Sequence, residues 1–309
     1  MYLKINRPLL FYIFLFTFVT NQIFAQPGDK SAKETGHPAI FRVLYQFDQK
    51  AEKNEKSIIV TDIMALTVGK QNSIYYDWHR TKKDSLVTVF MHNEIMSKGK
   101  QISVLKSSPF ESKLGLRESR MGLGKQQLTM FDESQVETLE IFKNRSNNEI
   151  VSVDDGPVNT TIGTKQDLIL TETIPFENWE ITDDTITILN YLCHKATTFF
   201  RGRDYVAWFT QEIPVNDGPW KLYGLPGLIL KAEDTENIFS FEAVGIQQLE
   251  NEKIEMPKNE NYISTTFEEL RKFRKNKVSN ISQGIMDDNG LTIYNVKNPI
   301  KYNDLELNN

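Results

Sequence analysis

The chain has 309 residues, 39% hydrophobic and 11% aromatic, with 36 Lys and Arg against 41 Asp and Glu for a formal charge of −5. That aromatic content supplies the buried apolar surface needed to offset ordering entropy, which excludes disorder, and 16 Gly with 11 Pro exclude collagen-like and low-complexity classes. A single cysteine excludes a disulfide framework and any multi-cysteine zinc or iron–sulfur site, and the acidic balance argues against general nucleic-acid binding.

Lys4 and Arg7 precede an apolar run from Leu9 to Val19, and a polar stretch then leads to Ile23-Phe24-Ala25. This is the order of a secretory signal peptide over residues 1–25, with cleavage expected after Ala25. The run is well short of the ~20 residues a spanning helix needs, so the mature chain is expected to carry no membrane span and to be periplasmic or extracellular. Residues 26–38 read as a flexible lead, and residues 39–309 as one β-rich domain.

Phe41, Val43, Tyr45 and Phe47 alternate with polar residues, the period of a half-buried strand. A polar connection is expected at 49–56. Residues 58–68 and 73–78 read as a hairpin around Gly69-Lys70-Gln71-Asn72. Further short strands are expected at 86–90, 102–106, 128–131, 137–143, 167–173 and 185–195, with turns at Asp154-Asp155-Gly156-Pro157, Asp183-Asp184 and Asp217-Gly218-Pro219. Residues 191–200 and 205–213 read as a hairpin turning on Gly202-Arg203, in which pairing positions sum to 405, so that His194 faces Gln211 and Ala196 faces Phe209. Both faces of that hairpin carry apolar residues, and such a sheet must be covered twice, closed, or left with a concave binding face. In Pro226-Gly227 the spacing predicts a type II turn with positive φ at Gly227, followed by a hairpin of 228–233 and 238–246. The one clear helix is expected over 265–277, capped by Thr265 with Glu268 or Thr266 with Glu269, and carrying Phe267, Leu270 and Phe273 on one face. Its basic last turns suit a helix C-terminus and a solvated face.

The run Gly224-Leu225-Pro226-Gly227-Leu228-Ile229, preceded by Gly218-Pro219 and Cys193-His194-Lys195-Ala196, resembles the GLPGLI family of exported Bacteroidetes proteins. The resemblance implies an envelope location and, as partner, a TonB-dependent outer-membrane receptor. It brings no catalytic residues, because the family is uncharacterised.

Four histidines, His37, His79, His92 and His194, lack metal-ligand spacing, and Cys193 beside His194 points to the opposite face of a strand. Gly122-Leu123-Gly124-Lys125 is too short for a phosphate loop, and no Gly-x-Ser-x-Gly elbow occurs. No cofactor or metal is expected. Trp208, Phe199, Tyr205, Trp220 and Tyr223 form the richest aromatic group, suited either to a core or to a binding surface. The fold expected is mainly β, a large curved antiparallel sheet or open barrel with a few helices. The expected role is a non-enzymatic binding or accessory protein of the envelope taking an apolar group, a peptide or a receptor segment. An envelope hydrolase or metal-dependent enzyme is the alternative, and a purely structural role a third.

Overall fold

In the computed structural model, period-two patterning produces the sheet the sequence calls for. The residues described are 36–53, 55–79, 101–105, 126–129, 139–156, 158–159, 164–175, 178–287, 290–297 and 300–307. The signal-peptide segment, the strand expected at 86–90, His92 and the Gly122–Lys125 run lie outside them.

The strands in chain order begin with β1 (His37–Lys53), β2 (Lys56–Gly69), β3 (Asn72–Asp77), β4 (Gln101–Leu105), β5 (Gln126–Thr129), β6 (Glu140–Asn144) and β7 (Glu149–Asp154). Next come β8 (Val158–Asn159), β9 (Thr164–Lys165), β10 (Leu168–Thr173), β11 (Glu180–Ile188), β12 (Tyr191–Phe200), β13 (Arg203–Thr210), β14 (Leu228–Asp234) and β15 (Phe239–Gln248). The chain closes with β16 (Lys253–Ile254), β17 (Ile263–Ser264), helix α1 (Phe267–Val278), β18 (Asn280–Asp287), β19 (Gly290–Lys297) and β20 (Ile300–Tyr302). The protein is therefore mainly β. Its principal sheet has 14 strands in the order β11-β12-β13-β14-β15-β1-β2-β3-β6-β7-β10-β17, with β16 and β20 also paired to β1. It is antiparallel except where β17 runs parallel to β10, and it is not closed. A second sheet has the order β4-β19-β18-β5. Where a few helices were expected, α1 is the one α-helix among the described residues.

Alternation assigns the faces. Phe41, Val43, Tyr45 and Phe47 of β1 are all buried, as are Met64, Leu66 and Val68 of β2 and Phe239, Phe241 and Ala243 of β15, and they share one continuous core. On the opposite face, Phe142, Val151, Val153 and Ile169 form a separate cluster, covered by Met256 and Tyr262. The sheet is therefore apolar on both sides at β6, β7 and β10, and must be covered twice there.

Several local expectations are corrected. Instead of a connection at 49–56, β1 continues to Lys53, which pairs with Lys56. The expected turn at Asp183-Asp184 lies inside β11, where the pairing with β12 is irregular between Ile181 and Thr185. The real turn is Leu189-Asn190, both at positive φ (49° and 68°), so the single strand expected over 185–195 is two. In the next hairpin Phe200 pairs with Arg203, and Arg201 and Gly202 take φ of 53° and 84°, the signature of a two-residue type I′ turn. His194 thus faces Phe209 and Ala196 faces Ala207, a register two residues from the one expected. An even slip leaves every side chain on its anticipated face.

Helix α1 starts as its sequence dictates. Thr266 accepts from the Glu269 N–H while the Glu269 carboxylate accepts from the Thr266 N–H, the second of the two expected capping boxes. Phe267 and Leu270 are buried and Phe273 packs against the same core.

Candidate functional site

Residues 211–227 leave the end of β13 and fill the hollow on the inner face of the sheet before re-entering it as β14. Trp220, Leu222, Tyr223 and Leu225 from this loop are fully or almost fully buried in the main core. Gly224 has a φ of 97°, a conformation open to glycine. Gly227 corrects the turn expectation, because it does not lie at positive φ. Its N–H bonds to the Leu225 carbonyl at 2.8 Å, a three-residue turn about Pro226, and the Leu228 N–H that would close a type II turn goes to Ile213 O at 3.1 Å. Gly227 is required for proximity. A Cβ there would sit 2.1 Å from the Thr210 carbonyl oxygen.

The loop is anchored by buried ions. Asp217, fully buried, pairs with Lys143 Nζ at 2.6 Å and Arg145 NH1 at 2.5 Å, both from the β6 region. Lys143 Nζ also donates to the carbonyls of Gly218 at 2.6 Å and Trp220 at 3.1 Å. An ammonium has three N–H donors, and these partners occupy all three, so Lys143 serves as an anchor with no free lone pair for chemistry. Burial pushes the Lys143 pKa down, against the pull of Asp217. For Asp217, burial alone would raise the carboxyl, but Lys143 and Arg145 override it and hold the group below its ordinary value. Sequence reading took Asp217-Gly218-Pro219 as turn chemistry only and missed both cations. The signal available was Lys143 at an inward position two residues after Ile141, obscured because Phe142 makes the other face apolar too.

A second ionic group ties the flanks of the open sheet together. Glu172 of β10 accepts from Arg201 in the β12–β13 turn at 2.5 Å and from Lys221 of the loop at 2.8 Å. Lys221 Nζ also lies 2.7 Å from Glu306. Arg203 pairs with Asp234 at 3.2 Å and Glu236 at 3.1 Å, donates to Asp304 O at 2.9 Å, and lies 4.9 Å over the Phe239 ring.

Next to this group lies a cavity of about 520 Å³, bounded by α1, the inner face of β1, β13 and β15, and residues 300–307. Phe47, Phe239, Phe267 and Leu270 supply apolar wall, and Arg203, Lys221 and Arg271 polar wall. The basic face of α1 is engaged: Arg271 with Asp304 at 3.1 Å, and Lys277 and Arg274 with the buried Asp154 at 2.8 and 3.5 Å. Asp154 is therefore a docking point for the helix as well as the end of a strand.

The structure does not bring the five aromatic candidates together. Tyr205, Trp220 and Tyr223 are core residues, 0%, 0% and 1% exposed, with the Trp220 ring 6.2 Å from Tyr205. Phe199 and Trp208 sit on the opposite face of the hairpin, Phe199 64% exposed and Trp208 half-buried with Lys195 Nζ 5.9 Å over its ring. Leu228 and Ile229 of the motif are fully buried in β14, and Pro226 is its exposed tip. The Cys193 thiol is buried, and burial pushes its pKa up to about 11, the state of an inert thiol. His194 stacks at a tilt on Phe209, with ring centroids 6.0 Å apart. His37 pairs with Ile254 at the start of β1, and His79 follows the end of β3. Among the described residues no three His, Cys, Asp or Glu side chains are grouped to hold a metal ion.

No curated protein matches the chain. Two solved structures of PNGF-II, in space groups P21 and C2, are similar at TM-scores of 0.44 and 0.43 and 14% identity, and each comparison covers 79% of this chain and 34% of the other. The chain thus spans about a third of the length of those proteins, at 34%. A family model described as the N-terminal domain of N-glycanase matches residues 125–271, a span that includes β6, the ion-anchored loop and the first turn of α1.

Proposed function

We propose that the chain is an exported, non-enzymatic binding protein of the cell envelope, and that the cavity under α1 is its ligand site. The cavity carries this reading. At about 520 Å³ it falls within the size range of small-molecule sites. Of the ionisable groups that line it, Lys221 is paired with Glu172 and Glu306, Arg203 with Asp234, and Arg271 with Asp304. A multiply charged small molecule would have to compete with the buried Lys221–Glu172 and Arg203–Asp234 pairs, so the site favours an apolar body or a short peptide. Export is supported by the Lys4 to Ala25 pattern, and a TonB-dependent outer-membrane receptor as partner by the resemblance of the Gly224–Ile229 run. The test is titration of the purified chain with a neutral apolar fluorophore, alongside Leu270→Trp, which would fill the cavity from α1. Loss of dye binding with an unchanged melting temperature is the expected result, and equal binding by both proteins would refute the site.

The hydrolase alternative draws its support from the N-glycanase description of the matched family model. Release of glycan from a glycoprotein by the purified chain would favour it over binding.

A further inference from the structure

The segment Ile300–Leu307 lies across the cavity as a strap, and the way it is held is that of a docked peptide. Only Ile300–Tyr302 joins the sheet, pairing with Ala51–Lys53 of β1 beyond the point where β15 begins opposite Gln49. The remainder is gripped mainly by side chains. Gln49 donates to Asn303 O at 2.7 Å, Arg203 to Asp304 O at 2.9 Å, and the Asp304 and Glu306 carboxylates meet Arg271 at 3.1 Å and Lys221 at 2.7 Å. Between the two acids, Leu305 is buried against the main core, and the Leu307 N–H bonds to Arg201 O at 2.9 Å. The two acids meet cations and Leu305 between them meets an apolar wall, while Leu307 is left exposed. The fit is incomplete, because a cavity of about 520 Å³ remains between the strap, α1 and the sheet and leaves apolar wall uncovered by protein.

The geometry points to this groove being a docking site for an extended partner peptide with acids at alternate positions and an aromatic residue between them, which displaces the strap. The inference rests on the binding reading above and specifies its ligand. A partner that keeps the two carboxylates satisfies Arg271 and Lys221 as the strap does. One that replaces the Leu305 side chain with a larger ring fills space the strap leaves empty. The resident strap then competes, and lowers the apparent affinity by the fraction of chains in which it is displaced.

The test uses a fluorescein-labelled peptide of residues 300–307 carrying L305W, read by polarisation against the full chain and against a full chain with Leu305→Ala and Glu306→Gln. The weakened strap is expected to raise peptide affinity at least tenfold, and a peptide with both acids changed to lysine to bind neither protein. Equal binding of the acidic and lysine peptides, or no binding to a strap variant that melts normally, overturns the proposal. A dimer formed by strap exchange between copies overturns it as well. Should the variant not fold, amide exchange of the unaltered chain decides: residues 303–307 should exchange at least tenfold faster than β1, and equal protection refutes displacement. Apolar-dye binding with no peptide binding would sink the peptide and leave the cavity reading intact.

Discussion

Asp217→Asn removes the carboxylate that pairs with two buried cations while keeping nearly the same shape. Lys143 and Arg145 are 2.6 and 2.5 Å from it, with side chains only 1% and 5% exposed. Breaking such a buried pair from one side costs about 3–5 kcal/mol, because the remaining charges stay desolvated. Against a total stability of about 5–15 kcal/mol this is a large fraction. It corresponds to a fall in melting temperature on the order of 10 °C for a chain of this size. The assay is denaturant unfolding followed by tryptophan fluorescence, since Trp220 lies in the anchored loop. The pH profile supplies a second signature. The folded carboxyl is held below its ordinary value, so its contribution is present above the unfolded pKa of about 3.9 and is lost as pH falls through the lower folded value. Stability of the parent chain should therefore drop in the strongly acidic range with a component the variant lacks. A loss under about 1 kcal/mol at neutral pH, together with unchanged acid dependence, would refute the anchoring role; surface-type pairs behave that way.

Three further outcomes follow from single contacts. Gly227→Ala should cost about 1–3 kcal/mol by forcing apart the Thr210 backbone and the loop, read as a shifted denaturant midpoint, and an unchanged midpoint would show the 2.1 Å approach relaxes freely. Thr266→Ala removes the cap of α1 and should cost about 1 kcal/mol, with Thr266→Ser restoring most of it. The Cys193 thiol should resist alkylation at mildly alkaline pH in the native chain and react readily in denaturant, since its pKa stands at about 11; fast native labelling would contradict its burial.

Backbone periodicity was legible where one face is buried. In β1 the alternation of Phe41, Val43, Tyr45 and Phe47 marks the strand and its inner face without ambiguity. The register of the β12–β13 hairpin was not, because the turn puts Arg201 at a φ of 53°, and nothing in an arginine announces left-handed backbone. The faces survived because the slip was even. Charged residues hid more. Lys143 and Asp217 are read as solvated by type, yet each is buried because the other is, and that dependence between positions 74 residues apart has no local trace. The helix was readable to its cap because capping chemistry is local, whereas the strap at 300–307 was not, since its partners come from β1, β13, the loop and α1.

The Gly224–Ile229 run is the most specific stretch of the sequence, and each part of it answers a demand of the fold. Gly224 takes positive φ, Leu225 fills the hollow, Gly227 lets the chain pass the Thr210 carbonyl, and Leu228 and Ile229 begin a core strand. None of these residues borders the cavity, whose walls come from β1, β13, β15, α1, Leu139, Lys221, Ser279 and the strap. A motif spent on closing the sheet over its own loop constrains the scaffold and leaves ligand chemistry to other positions. Chains sharing this run can therefore share the plugged sheet while differing at Phe267, Leu270, Arg271 and residues 303–307, and if the cavity is the ligand site we propose, those are the positions at which a change of ligand should be sought.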